Sequence, residues 1–297
     1  MTKIIVTGSS GMLGTALVDR LEKDKGLEVF GLDILPSQLT YKNQIIIDLM
    51  DGDAVSRTIK KLNPDIIVHC AAMIDVDLCE KEENKARNIN FCSTRSLMMA
   101  ADSNTRFIYV STASVFDGSQ GNYREESLPS PLNYYAKTKL ESEWFVEQNS
   151  NNYVIIRTDI IGWKLSGKKP FIQWIYDSLV RNEKIKMFKD VIFTPISVYS
   201  MAEDIYRLLS LEYCGRLNIG VGERISKYEF GLKFAEKMAL NGSLILPISV
   251  DEHIFFAKRP KNTSLNVERA ESVFGRSSTL DDELEILKKR WELINEN

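Results

Sequence analysis

The sequence predicts a doubly wound α/β fold: a parallel sheet covered by helices on both faces, with a smaller α/β region interleaved toward the C-terminus. Three observations carry this. Short apolar runs alternate with helical patterns through the first half of the chain, a glycine-rich loop joins the first run to the first helix, and the second run ends in an aspartate. Such alternation requires parallel strands joined by crossover helices. A strand, a glycine loop, a helix start and a distal carboxylate together form a cradle for a dinucleotide.

Residues 2–7 form the first apolar run, and Gly8-Ser-Ser-Gly11-Met12-Leu13-Gly14 leads into an amphipathic helix over 12–24. Glycines let backbone amides approach a pyrophosphate, and the helix N-terminus favours its charge. The spacing is G-x-x-G-x-x-G rather than the commoner G-x-G-x-x-G, so the loop alone would be weak evidence. The strand over 28–32 then ends in Asp33, about twenty residues past Gly14, where a carboxylate accepts hydrogen bonds from an adenosine ribose. That carboxylate repels a 2′-phosphate. It favours NAD(H), while NADP(H) stays open because a neighbouring basic side chain could accommodate the phosphate.

Strands at 44–47, 65–70, 106–111 and 153–157 and helices at 52–62, 84–101 and 134–148 continue the alternation. Beyond Arg157 the pattern is less regular, punctuated by Gly162, Gly167, Pro170, Pro195, Pro247 and Pro260. We expect 1–158 to bind the dinucleotide, with 192–219 returning to that domain, and 159–297 to be mainly a substrate-binding domain. The closing run, Leu280 to Ile294, has apolar residues at helical spacing and reads as packing.

Composition narrows the function. A length of 297 residues with 44% hydrophobic content sustains a substantial core. A net charge of −3 offers no global attraction to nucleic acid. No apolar run approaches a membrane span, and the N-terminal residues read as the first strand rather than a cleavable signal, so a cytoplasmic protein is expected. Cys70, Cys79, Cys92 and Cys214 lack C-x-x-C spacing and read as ordinary thiols. No local motif suggests a metal site. His69 lies in an apolar strand and is expected to be a satisfied core residue.

The chemistry concentrates in Tyr135-Ala-Lys-Thr-Lys139. Residues four apart share a helix face, so the Tyr135 phenol and the Lys139 ammonium project toward one point. An adjacent ammonium favours the phenolate, which is expected to lower the Tyr135 pKa toward the working pH, where a proton donor is most useful. Thr112, at the end of the strand containing Phe107-Ile-Tyr-Val110, could add a hydroxyl to the same substrate oxygen. The spacing alone also fits a solvated helix face; the N-terminal cradle shifts the balance toward catalysis.

Gly8/Gly11/Gly14, the segment Ser111-Thr112-Ala-Ser-Val-Phe-Asp-Gly118 and Tyr135-x-x-x-Lys139 together resemble the extended short-chain dehydrogenase/reductases, and within them the dTDP-4-dehydrorhamnose reductase branch. Asp48-Leu49, Pro64-Asp65-Ile-Ile-Val-His-Cys-Ala-Ala72, Asn90, Ser130-Pro-Leu-Asn133 and Arg259-Pro-Lys-Asn262 extend the resemblance over nearly the whole chain. It implies a Rossmann-type dinucleotide domain. Gly11, Met12 and Leu13 would lie along the pyrophosphate, Asp33 at the adenosine ribose, Asp48 and Leu49 at the adenine, and Ala71, Ala72 and Met73 along the cofactor toward the nicotinamide. Tyr135 would be the general acid, Lys139 would hold the nicotinamide ribose, and Thr112 would orient the substrate carbonyl. The implied reaction is NAD(P)H-dependent reduction of the 4-keto group of a nucleotide-activated 4-keto-6-deoxyhexose. A homodimer through the helices holding 84–101 and 134–148 is also implied, although Leu97, Leu140 and Phe145 there fit core packing equally well.

The departures fall on the substrate side. Ala113 stands where the branch usually has Asp, Ile74 replaces a Thr after the fourth strand, and Arg157-Thr158-Asp159-Ile160 replaces Arg-Thr-Ser-Trp, which puts Ile160 in the slot of a substrate-facing Trp, so that stacking is either lost or moved to Trp163. Thr112-Ala113-Ser114 lacks the acid and base of related 4,6-dehydratases, and Ser114 stands where epimerising relatives place a cysteine. Arg259 is the best candidate for a sugar-nucleotide pyrophosphate, with Lys164, Lys168, Lys169 and Lys261 behind it. Two alternatives remain: a sugar-nucleotide C4 epimerase that retains NAD, and a dinucleotide-binding regulatory subunit resembling the β subunit of methionine adenosyltransferase.

Overall fold

The computed structural model describes residues 1–164 and 169–295. The first crossover is β1 (Thr2–Thr7), α1 (Met12–Leu21) and β2 (Leu27–Asp33), followed by β3 (Gln44–Ile46), α2 (Gly52–Leu62) and β4 (Ile66–His69). Then come α3 (Val76–Lys81), α4 (Glu83–Arg87), a π-helical turn over Asn88–Cys92, α5 (Ser93–Ala100) and β5 (Arg106–Val110). A 3₁₀ turn, Ala113–Val115, precedes α6 (Tyr134–Asn149) and β6 (Tyr153–Ile161). The remainder is α7 (Phe171–Val180), β7 (Ile185–Phe188), β8 (Ile192–Phe193), β9 (Pro195–Ser197), α8 (Val198–Leu208), β10 (Gly215–Ile219), β11 (Ile225–Ser226), α9 (Lys227–Lys237), β12 (Ile245–Ile248), α10 (Glu268–Phe274) and α11 (Leu280–Asn295).

The main sheet runs β10-β6-β5-β4-β1-β2-β3, with β9 paired to the end of β6. Every pairing in it is parallel. Strand order reverses between β1 and β4, which opens a crevice at their carboxyl ends where doubly wound sheets bind ligands. The buried runs Ile4-Ile-Val6 and Ile66-Ile-Val68 feed opposite faces alternately. One face packs on α1 and α8 through Leu17, Leu21, Met201 and Ile205, the other on α2 and α5 through Val55, Ile59 and Leu97.

Residues after β6 build a second lobe around Phe193, Phe230, Phe234, Leu284 and Leu287. β7 pairs with β12, and β8 with β11. Between these two small sheets the chain returns to the main one, where β10 registers Gly215 to Ile219 against Val154 to Thr158. The helix read over 84–101 is interrupted by the π turn. Its Asn90 side chain leaves the helix face to bind the loop after β4: the Oδ1 accepts from Met73 N–H at 2.7 Å and the Nδ2 donates to Met73 O at 3.2 Å. Leu97 and Leu140 are both core residues, so the apolar surface on these helices is made instead by Met99 and Trp144, 70% and 50% exposed.

Candidate active site

The glycine loop is shaped by close approach. Gly8 has φ +67°, and a Cβ there would fall 2.8 Å from the backbone of Ala71; one on Gly14 would lie 2.0 Å from the Gly8 carbonyl oxygen. Only glycine permits this packing of loop, helix and the loop after β4. Gly11 is the N-cap of α1 with no side-chain cap, so the first N–H groups of the helix, from Met12, Leu13 and Gly14, have no intrahelical acceptor. Leu13 offers only its backbone, because its side chain is in the core.

Asp33 ends β2 beside this loop. Its Oδ2 accepts from Ser10 N–H at 2.9 Å and its Oδ1 from Leu35 N–H at 3.0 Å. Ile47 N–H donates to Asp33 O at 2.8 Å, which draws the Asp48-Leu49 turn toward the carboxylate. Next to Asp33 stand Ile34 and Leu35, both largely exposed, rather than a basic residue. Tyr41, absent from the sequence expectations, donates to Ser9 Oγ at 3.0 Å and fills the space over Gly31.

Tyr135 and Lys139 come from α6. Asn133 caps that helix, accepting from Ala136 N–H at 3.0 Å while its Nδ2 donates to Lys258 O at 2.9 Å, so the cap also fixes the C-terminal segment. Thr112 Oγ1 accepts from Ser114 N–H at 3.1 Å, and its hydroxyl faces the Tyr135 phenol closely enough to oppose the rise of that group's pKa. Lys139 is buried, its Nζ donating to Val110 O at 2.7 Å above the Tyr109 ring. Asn90 Nδ2 donates to Thr138 Oγ1 at 2.9 Å, tying the Met73 loop to the same helix.

The electrostatics reverse the expectation for the tyrosine. Burial pushes the Tyr135 phenol up to about 12, against the opposing Thr112 hydrogen bond, and burial pushes Lys139 down to about 7, against the opposing charge of Glu143. Desolvation outweighs the pull of the ammonium, which is turned toward a backbone carbonyl. The phenol is therefore held as a proton donor across the ordinary pH range.

Of the substrate-side residues, Ala113 and Trp163 are buried, while Ile160 and Arg259 are partly exposed. Ala113 is fully buried with Val115, Phe116 and Leu265 and presents no side chain to a ligand. Ile160 packs partly against the α1–α8 core because side chains alternate along β6; Asp159 before it is, after Cys79, a charge felt by Tyr135. Trp163 cannot stack on a sugar: its indole donates to Leu287 O at 2.8 Å and packs against Trp291, with ring centroids 4.3 Å apart. Arg259 is paired with Asp77 at 3.0 Å, although its Nη1 is buried without a partner. These two residues line an open cleft of about 510 Å³ with Ile74, Asp75, Val76, Leu78 and Lys81. Lys169 pairs with Asp177 and Lys261 with Asp251. Lys168 lies outside the described residues.

His69 is buried between two hydroxyls, with Nδ1 2.6 Å from Thr7 Oγ1 and Nε2 3.0 Å from Thr94 Oγ1; burial lowers it to about 3, so it is a neutral structural residue. The four cysteines are free thiols, and burial pushes Cys70 up to about 12. Among the described residues no cluster of acidic, cysteine or histidine side chains could hold a metal, and no helix is long and apolar enough to cross a membrane.

Comparison with known proteins agrees with this geometry. The chain is 27% identical to a dTDP-4-dehydrorhamnose reductase from Bacillus anthracis solved with NADP, with a TM-score of 0.85 over 97% of this chain and 99% of that one. It is 35% identical to a hypothetical dTDP-4-dehydrorhamnose reductase from Sulfolobus tokodaii, with a TM-score of 0.82 over 95% and 99%. A probable low-salt glycan biosynthesis reductase of Haloferax volcanii is 28% identical, covering 95% of this chain and 96% of that protein. Methionine adenosyltransferase 2 subunit beta of Bos taurus is also 28% identical, covering 91% and 82%. The family profile described as RmlD substrate binding domain matches residues 1–284. With a single match running from the first strand into the last helix, the chain belongs to the RmlD substrate binding domain family.

Proposed function

We propose that the protein is an NAD(P)H-dependent reductase that acts on the 4-keto group of a nucleotide-activated 4-keto-6-deoxyhexose. The observation that carries this reading is the meeting of the Thr112 and Tyr135 hydroxyls with Lys139 one helical turn away, its Nζ on the Val110 carbonyl at the carboxyl end of β5. The dinucleotide fits residues that are present: Gly8 and Gly14 leave room no side chain could share, the α1 N-terminus has N–H donors without intrahelical acceptors, and Asp33, tied to the loop through Ser10 N–H, takes the ribose in this reading. Asp33 with no adjacent basic residue favours NAD(H); the NADP bound to the Bacillus anthracis reductase supports NADP(H) as the other choice.

When bound, the nicotinamide supplies the reducing equivalent to the ketone carbon. The residues of this chain do the rest. Thr112 and Tyr135 orient the ketone oxygen, and negative charge developing there is met by two hydroxyls already held in place. Tyr135 gives its proton to that oxygen. Lys139, kept in the α6 turn below, holds the nicotinamide ribose and offsets charge left on the phenol. Arg259, which lines the Asp77 cleft, binds the pyrophosphate of the sugar nucleotide in this reading, and its unpartnered Nη1 supports the assignment. Residues 1–158 with 192–219 form the dinucleotide half in this reading and most of 159–297 the substrate half. A cytoplasmic location and a homodimer across the Met99–Trp144 surface belong to the same reading.

Oxidation of NADH and NADPH at 340 nm with dTDP-, GDP- and UDP-4-keto-6-deoxyhexoses tests it. Turnover with one of them supports the reading; absence with all of them rejects it. A regulatory dinucleotide-binding subunit is the second reading, favoured by the similarity to the methionine adenosyltransferase β subunit. Tight dinucleotide binding without turnover, and co-purification with a methionine adenosyltransferase, would establish that one instead.

A further inference from the structure

Asp159, two residues before the end of β6, is a charge felt by the catalytic Tyr135, and two other segments act on its carboxyl: Lys227, the first residue of α9, and Thr263, which hydrogen-bonds it. The Asp159 Oδ2 atom is buried and has no hydrogen-bond partner. The Lys227 ammonium lies 3.1 Å above the Phe193 ring and 4.9 Å from the Phe171 ring, with no ion pair of its own among the described residues. Each group feels the other's charge, yet the two do not close on one another. A buried acceptor left unmatched is costly unless a ligand completes it, and the ammonium held over the aromatic rings beside it keeps N–H donors to share.

The orientation comes from the reductase reading, on which this step rests. Tyr135 and Thr112 fix the ketone oxygen at C4. In a 4-keto-6-deoxyhexose, C5 carries the ring oxygen and a methyl group, so the only hydroxyl beside the ketone is on C3 and the next is on C2. An acceptor next to a donor suits such a pair, since one hydroxyl donates while its neighbour accepts. We infer that Asp159 and Lys227 are specificity-determining residues for the hexose, Asp159 accepting a hydrogen bond from the C3 hydroxyl and Lys227 donating to the C2 oxygen.

The test compares Asp159→Asn and Lys227→Met with the unmodified protein on a 4-keto-6-deoxyhexose nucleotide and its 3-deoxy counterpart. Asp159→Asn should raise KM for the 3-hydroxy substrate about ten-fold or more, with kcat nearly unchanged, and leave KM for the 3-deoxy substrate as it was. Lys227→Met should raise KM for both, because C2 is common to them. Burial raises the Asp159 carboxyl to about 6, with Lys227 from α9 and Tyr135 from α6 as the charged or titratable groups facing it. The kcat/KM for the 3-hydroxy substrate should therefore fall below about pH 6 in the unmodified protein and stay level there in Asp159→Asn. Equal KM changes on both substrates in Asp159→Asn, or none on either, overturn the inference.

A second measurement needs no turnover. Calorimetric binding of dTDP-, UDP- and GDP-glucose and their 3-deoxy forms to NAD-loaded protein should show Asp159→Asn weakening only the 3-hydroxy sugars. That result with no ketone reduced would sink the reductase reading and keep this inference. No binding of any of these nucleotides would sink both.

Discussion

Glu143 and Arg157 form an ion pair with no exposed surface on either side chain, Arg157 Nη2 lying 2.7 Å from Glu143 Oε2. The pair joins β6 to the helix that carries Tyr135 and Lys139. Glu143 Oε1 also accepts from Ser111 Oγ at 2.5 Å, and Arg157 Nη1 donates to Glu125 O at 3.2 Å, so four segments meet at one buried contact. Arg157→Met strands a buried carboxylate and should cost about 3–5 kcal/mol by urea denaturation. Adding Glu143→Leu should recover much of the loss, since a buried pair replaced by apolar groups is often neutral. A double variant as unstable as the sum of the singles would contradict this account.

Tyr135→Phe removes the proton donor while keeping the ring. Turnover should drop by ~10²–10⁴-fold with dinucleotide affinity unchanged by fluorescence titration. Retained turnover would move the acid to another group.

Lys139 should take up a proton when the dinucleotide binds. Burial holds it near 7 in the free protein, and ribose oxygens around the ammonium favour the charged form. Calorimetry in buffers of different ionisation enthalpy should report uptake of about half a proton at pH 7, rising toward one at pH 8 and lost in Lys139→Met. Uptake that persists in the variant would assign the proton elsewhere.

Gly14→Ala places a methyl group 2.0 Å from the Gly8 carbonyl oxygen. The loop must shift, and dinucleotide affinity should fall at least ~100-fold, a loss of about 3 kcal/mol. An unchanged dissociation constant would show that the loop is not the cradle.

The Asp159 carboxyl gives stability an opposite pH dependence from that of a salt-bridged acid. Its folded value of about 6 lies above the ordinary 3.8, so the folded state binds more protons between those values, and stability present at low pH is lost as pH rises through about 6. Relative to Asp159→Asn, the unmodified protein should lose about 1–3 kcal/mol between pH 4 and pH 7. A flat difference would mean that the carboxyl is solvated.

Alternating apolar runs, the glycine loop and Asp33 were sufficient to read the parallel sheet from the chain, because each is a local pattern with one backbone solution. The α6 pair was legible for the same reason: a helical repeat places Tyr135 above Lys139. What the sequence left hidden was long-range. The π turn that frees Asn90 for Met73 has no local marker, and Arg157 looks like any strand arginine until Glu143 arrives from α6. The directions of the Ile160 and Trp163 side chains could not be read from matching slots, because strand alternation turns the first toward the α1–α8 core and the second-lobe core takes the other. The Tyr135 pKa went astray because adjacency to a charge is visible in sequence and depth of burial is not.

The chain visits the second lobe, returns through β9, α8 and β10, and leaves again. A lobe threaded in this way cannot be exchanged as a cassette, because cutting near residue 158 would strip the outer partner from β6 and leave its backbone amides bare. New substrates must therefore be reached one cleft side chain at a time, which makes a single strand-end substitution such as the carboxylate at 159 an economical route for this architecture to change what it accepts.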